Sequence, residues 1–380
     1  MHGRRAAASA PPPRRERCCR CQEAFLTAQF VVGAACESGS PQLMNLSSYS
    51  EPVEGLGGYA TFDRVCRAPT IVAVGSESPV LASISSVDFD RSLGVLVADP
   101  LENRAFLFGW DGQLRSWFGR AGQGPGEFTG LTDAVFLTDD EIALLDRSRG
   151  LSRFGIDGRL HATPSRAVVG GTSVSILDSA SLLVALTSPT LGHDTAPLWR
   201  VLRLAEPLGR QVRWFAPESP EAAFRFRNIR KTLVAVSRDA STMAVGNQYD
   251  FQIDFYDLEA YRRLRAWIPS PADLGFRQIA PRPRWLRSAS AFVRWVSSGS
   301  HLLALGFLDD GTLLASWDRF ESTSSRRLFL TQYRVDANRV LFSAEVPYRL
   351  MRVHGARAAF LDTRTRPDYR VLMCTWQSTE

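Results

Sequence analysis

The sequence predicts an all-β protein, a six-bladed β-propeller in which an N-terminal strand closes the last blade. Three observations predict it. Short runs of alternating apolar residues fill most of the chain. Asp-Gly, Gly and Pro turn signals separate those runs. One unit then recurs at a spacing of 46 residues, from Gly109-Trp110-Asp111-Gly112 to Gly155-Ile156-Asp157-Gly158, which is blade-sized. With 380 residues, 45% of them hydrophobic, the chain can bury a large core. A ring of blades buries it as one domain, because no blade covers its own faces.

The clearest unit spans residues 94–128. Val95, Leu96 and Val97 begin a strand that stops at Asp99-Pro100, since proline cannot donate to a ladder. Asn103-Arg104 fills the turn. Ala105 to Gly109 is the next strand, with Phe106 and Phe108 on one face. Trp110-Asp111-Gly112 supplies an Asp-Gly turn, and Leu114 to Phe118 returns. The glycine-rich link from Gly119 to Phe128 invites a phosphate-cradle reading. A phosphate loop must open a helix; here strands lie on both sides and no Gly-Lys-Ser/Thr follows, so the link reads as structural.

This unit resembles the NHL repeat, a blade of six-bladed propellers. The resemblance rests on Val97, Ala98 and Asp99 before Asn103 and Arg104, on the Trp-Asp-Gly turn, and on the Gly-x-Gly-x-Gly-x-Phe link ending at Phe128. It is specific over 94–128, fair to about 160, and a pattern elsewhere. It implies that Asp99 and Arg104 pair to fix the turn. It also implies that relatives include RNA- and protein-binding scaffolds.

Taken in order, residues 1–35 read as a leader. Arginines and Cys18, Cys19 and Cys21 precede an apolar run from Ala24 to Ala35, too short to span a bilayer. Cys36 after small residues resembles a bacterial lipoprotein signal, with Cys36 as the lipidated residue; Gly33 departs from the usual leucine. Residues 36–60 read as a flexible tether. The propeller occupies 61–380. Its first full blade opens at Ile84 to Phe89, and the second has strands from Asp133, Glu141, Leu151 and Leu160. A third spans about 173–215, a fourth about 232–268 and a fifth 301–346. The sixth shows three strands, from Arg349, Ala356 and Tyr369, and Thr70 to Gly75 supplies the fourth. An insertion at 269–299 breaks the rhythm with four prolines, and Leu286, Ala289, Val293 and Val296 predict a helix within it.

The formal charge is +6. Residues 1–35 hold six arginines against Glu16 and Glu23, so most of the excess lies in the leader. The mature domain lacks the broad basic footprint that nucleic-acid binding needs. Lys231 is the only lysine, which fits an arginine-rich genome. Cys66 precedes the closing strand and Cys374 ends the last one, so the two are placed to form a disulfide or to remain buried thiols. A disulfide fits an oxidising compartment and would contribute at most about 4–5 kcal/mol by loop entropy.

No His-x-x-x-His pattern and no Gly-x-Ser-x-Gly elbow appears. His301 and His354 start corresponding regions of blades five and six, which makes them the catalytic candidates if both approach the axis. Asp99, Asp146 and Asp318 follow second strands. They either ring a channel mouth as ligands for calcium or zinc, or cap turns beside arginines such as Arg104 and Arg149. Arg282, Arg284 and Arg287 in the insertion form a candidate anion-binding or acidic-partner patch, or a solvated face. The reading that follows is an exported, lipid-anchored, non-catalytic platform for a protein, peptide or glycan in the bacterial cell envelope, without a cofactor. Its alternatives are an extracytoplasmic metal-dependent lyase or hydrolase with its site at the central channel, and an intracellular NHL-type RNA or protein scaffold.

Overall fold

The computed structural model describes residues 62–74, 81–165, 168–178, 181–187, 199–205, 210–215, 231–248, 252–268, 274–277, 289–322, 325–362 and 369–377. The chain divides into two units, Met1–Gln42 and Leu43–Glu380, and every described residue belongs to the second. The expected leader, Cys36 and the tether lie outside the described residues, as do Arg282, Arg284 and Arg287.

A short helix α1 (Phe62–Val65) leads into β1 (Cys66–Val74). Blade one is β2 (Ser86–Asp90), β3 (Gly94–Asp99), β4 (Arg104–Phe108) and β5 (Leu114–Phe118). Blade two is β6 (Leu131–Phe136), β7 (Glu141–Asp146), β8 (Gly150–Gly155) and β9 (Leu160–Ser165). Blade three is β10 (Gly171–Asp178), β11 (Ser181–Thr187), β12 (Trp199–Ala205) and β13 (Arg210–Phe215). Blade four is β14 (Thr232–Val236), β15 (Thr242–Asn247), β16 (Ile253–Asp257) and β17 (Arg262–Trp267). The insertion contributes α2 (Ala289–Val296), the C-terminal part of the expected helix. Blade five is β18 (Ser300–Phe307), β19 (Thr312–Phe320), β20 (Arg326–Arg334) and β21 (Arg339–Glu345). Blade six holds β22 (Arg349–His354), β23 (Arg357–Asp362) and β24 (Tyr369–Trp376), and its outermost strand is β1, in the order β1-β24-β23-β22. Ile71 faces Leu372 and Val72 faces Val371 in the antiparallel pairing. The architecture is a six-bladed β-propeller of four-stranded sheets.

Period-two alternation explains how the blades stack. In β3, Val95 and Val97 face the cluster shared with blade six, beside Leu361 and Val371. Leu96 and Ala98 face the opposite cluster with Phe118, Phe128 and Leu144 of the next blade interface. A strand covered on both faces is apolar wherever no polar partner awaits: Val95 to Ala98 are buried and apolar, and Asp99, which ends β3, is buried against backbone amides. Six such clusters hold the six interfaces. Burying one Leu or Phe stabilises by roughly 1.5–3 kcal/mol, so the interfaces carry most of the folding energy.

The repeated turns follow from local chemistry. Gly112 N donates to Gly109 O at 2.9 Å, and Gly158 N donates to Gly155 O at the same distance. Gly112 and Gly158 sit at φ +80° and +85°, which glycine adopts without strain. Each turn therefore ends in a glycine bulge, with a register shift in the following strand. The glycine-rich link is closed by its own side chains. Glu127 Oε2 accepts from Gly124 N at 2.6 Å, and Arg120 Nη2 pairs with Glu127 at 2.7 Å. The Glu127 carboxylate thus takes an amide that a phosphate would need, and Phe128 buries its ring against Gly119.

Candidate functional site in the axial channel

The first strand of each blade runs innermost. β2, β6, β10, β14, β18 and β22 contact one another in a closed cycle. They enclose a cavity of about 40 Å³ to which all six inner strands or their leading residues contribute. Its polar lining is Ser85, Ser86, Asp133, Ser173, Lys231, Arg349 and Arg352, with aliphatic cover from Leu303 to Leu305.

The charges are organised by ring closure. Arg352, on β22, donates from Nη1 to Val174 O of blade three at 2.9 Å and from Nη2 to Asp133 Oδ1 of blade two at 3.1 Å. Its Nε stands 3.5 Å from Asp88 Oδ1 of blade one. One guanidinium thereby touches three other blades. Asp133 Oδ2 accepts from Val174 N at 2.7 Å, and Asp88 Oδ2 accepts from Phe136 N at 2.9 Å. His354 Nε2 lies 2.6 Å from Asp88 Oδ1. Burial alone would raise the Asp88 carboxyl; His354 and Arg352 hold it below its usual value. Burial also opposes the charge on Arg352, and Asp133 and Asp88 more than offset it.

Lys231 immediately precedes β14 and reaches the same cavity. Burial, with Arg349 and Arg352 nearby, pulls its amine down to about 8 against the opposing attraction of Asp133. Among the described residues nothing bonds to or ion-pairs with the Lys231 ammonium. Arg349 opens β22 and is buried at 8% exposure beside it.

Of the three aspartates expected after second strands, Asp99 and Asp146 share one role and Asp318 has another. Asp99 Oδ2 accepts from Ala82 N and Ser83 N at 2.7 and 3.1 Å, and Oδ1 accepts from Leu101 N and Glu102 N at 2.9 and 3.2 Å. Asp146 repeats this cradle with Thr129 N, Gly130 N, Ser148 N and Arg149 N, between 2.7 and 3.0 Å. Each carboxylate therefore ties its own turn to the lead into its own inner strand. The expected arginine pairing needs correction. Asp99 and Arg104 are opposite in register, yet the guanidinium of Arg104 lies over the Trp117 ring at 4.9 Å. The Arg149 side chain donates to Gly124 O and Glu127 O. Backbone amides offer a better fit to a buried carboxylate at a tight turn than a long flexible side chain does.

Asp318 lies 2.9 Å from His301 Nδ1, across the β18–β19 register, with both side chains buried. His301 Nε2 lies 3.0 Å from Val296 O at the end of α2, so this histidine connects the insertion to blade five. His301 is the second residue of its inner strand and His354 the last of its own. The two do not occupy corresponding positions, and neither lines the cavity. Among the described residues, no three metal-ligating side chains converge as a metal site would need. Of the insertion arginines, Arg277 and Arg294 are described; Arg294 is exposed on α2, and Arg277 Nη2 stands 3.8 Å from Glu321.

Sequence reasoning singled out the turn aspartates and two histidines that stand outside the cavity lining, and it missed Asp88, Asp133, Lys231, Arg349 and Arg352. Lys231 carried a signal, being the single lysine in an arginine-rich chain. The others sit in strands and come together only through ring closure.

No family model matches the chain, and no curated protein does. Solved structures share the fold. A member of the DUF4221 family from Bacteroides vulgatus is similar at 11% identity and TM-score 0.55, covering 82% of this chain and 96% of that one. A luciferin-regenerating enzyme is similar at 8% identity and TM-score 0.51, covering 82% and 99%. Regucalcin, a calcium-binding protein from Agrobacterium tumefaciens, is similar at 11% identity and TM-score 0.48, covering 80% and 94%.

Proposed function

We propose that this chain is an exported propeller of the bacterial cell envelope, lipid-anchored through Cys36, with NHL-like blades that act as a non-catalytic platform for a protein, peptide or glycan. The observation that carries this reading is the paired cradle of Asp99 and Asp146. Four backbone amides at each carboxylate lock a surface turn onto the core. Loops fixed in this way lose little entropy on binding, which favours recognition. The Cys66–Cys374 disulfide supports an oxidising compartment.

The test is fractionation of cells producing the full chain, followed by glycan and peptide arrays. The expected result is an envelope-bound protein with Cys66 and Cys374 oxidised, and saturable array binding that weakens at least tenfold in Asp99→Asn. A soluble cytoplasmic chain with free thiols overturns export. Array binding indifferent to the loop substitution overturns the platform.

A further inference from the structure

The axial cavity gathers Lys231, Arg349 and Arg352 against two carboxylates, and those carboxylates are already engaged. Asp133 takes Val174 N, Ala134 N and Arg352; Asp88 takes Phe136 N, His354 and Arg352. Neither has a described hydrogen bond to Lys231. Ser86 Oγ accepts from Ala134 N at 3.0 Å, which leaves its own proton to point elsewhere. The cavity wall is therefore rich in donors and poor in spare acceptors. A partly buried ammonium beside two guanidiniums, with Asp133 as its attracting carboxylate, costs stability unless a further anion joins it. The chain uses arginine at every other basic position of its 45 Lys and Arg residues. At the axis it keeps the compact, strongly hydrated point charge instead, where a planar fork would fill the space.

We propose that the axial channel is a binding site for a small oxyanion, a carboxylate or phosphate group, held by Lys231 with Arg349 and Arg352 beside it. The cavity of about 40 Å³ admits one such group, since a single water needs roughly 10–15 Å³. Ser86 lies on the wall with its hydroxyl proton uncommitted and can orient one of its oxygens, while Ser173 spends its proton on Thr232 O at 3.0 Å. This site lies inside the ring and is independent of any loop platform outside it.

Lys231 being the only lysine makes the test direct. Lysine labelled with ¹³C at Cε gives one protein signal from the full chain. That signal is followed by pH titration in a buffer free of oxyanions, then with inorganic phosphate and with acetate. The expected result is a midpoint near 8 without anion, moving upward and saturating as an anion is added. Saturation with phosphate alone assigns a phosphate group; saturation with acetate alone assigns a carboxylate; both together assign the shared oxyanion chemistry. Calorimetry then shows binding at least tenfold weaker in Lys231→Met. A midpoint at the ordinary lysine value, or a response to both anions that never saturates, overturns the proposal. So does calorimetry in which Lys231→Met, folded by circular dichroism, binds as the unaltered protein does.

Discussion

Arg352 Nη2 and Asp133 Oδ1 stand 3.1 Å apart although 219 positions separate them in the chain. The pair joins the last blade to the second across the axis, and it exists only when the ring is complete. Removing Arg352 leaves Asp133 and Asp88 buried without their shared cation. Arg352→Met is expected to cost about 3–5 kcal/mol by denaturant unfolding. Asp133→Asn keeps an acceptor and costs less, about 1–3 kcal/mol. The double variant falls short of the sum, because both substitutions break one contact.

Lys231 makes the stability depend on pH in the alkaline range. Its folded-state value of about 8 lies below the 10.5 of a free lysine. Between those values the unfolded chain binds more protons, so stability rises with pH from about 8 to 10.5. Lys231→Met removes that rise and is more stable than the unaltered protein at pH 7. Paired thermal melts at pH 7 and pH 10 measure both effects.

Asp88 acts on the acid side with the same upward slope, but as a net stabilisation at neutral pH. Its folded-state value is lowered, so its stabilisation is complete above the ordinary 3.8 and is lost as pH falls through the depressed folded value. Asp88→Asn flattens that part of the acid unfolding curve and lowers stability at pH 7.

Asp99 and Asp146 hold equivalent cradles 47 positions apart, and their loss should register equally. Asp99→Ala and Asp146→Ala each orphan four amides and are expected to cost about 1–3 kcal/mol. The two costs agree within roughly 0.5 kcal/mol in denaturant melts, and they add, because the sites share no partners.

Cys66 and Cys374 are joined, with Cα atoms 5.4 Å apart. Reduction, or the Cys66→Ser/Cys374→Ser variant, is expected to lower stability by about 2–5 kcal/mol. A non-reducing against reducing melt measures it.

What the sequence made legible was local. Strands were readable because each is short, alternates every second residue and ends in a turn residue; Asp99-Pro100 and Asp157-Gly158 are examples. The insertion helix was readable at its C-terminal part, where Val293 and Val296 recur at helical spacing. The axial site was not readable, because nothing local distinguishes Asp88 or Arg352 from any polar residue in a strand. His301 and His354 show the same limit. Their place along the axis depends on their offset within each strand, and a shift of a few residues moves a side chain from one mouth of the channel to the other. Asp99 and Asp146 were readable as turn caps, while their partners were not, since backbone amides leave no mark in a residue pattern.

The bond between Cys66 and Cys374 gives the polypeptide the connectivity of a circle. A protease that nicks a link between two blades then produces no separate fragments, only a ring with a new opening. Each link between blades is accordingly a site where the ring could be opened, with the chain rejoined at the seam between Cys66 and Cys374, giving a permuted protein with the same six interfaces. The order in which blades are synthesised is thus separable from the order in which they stand.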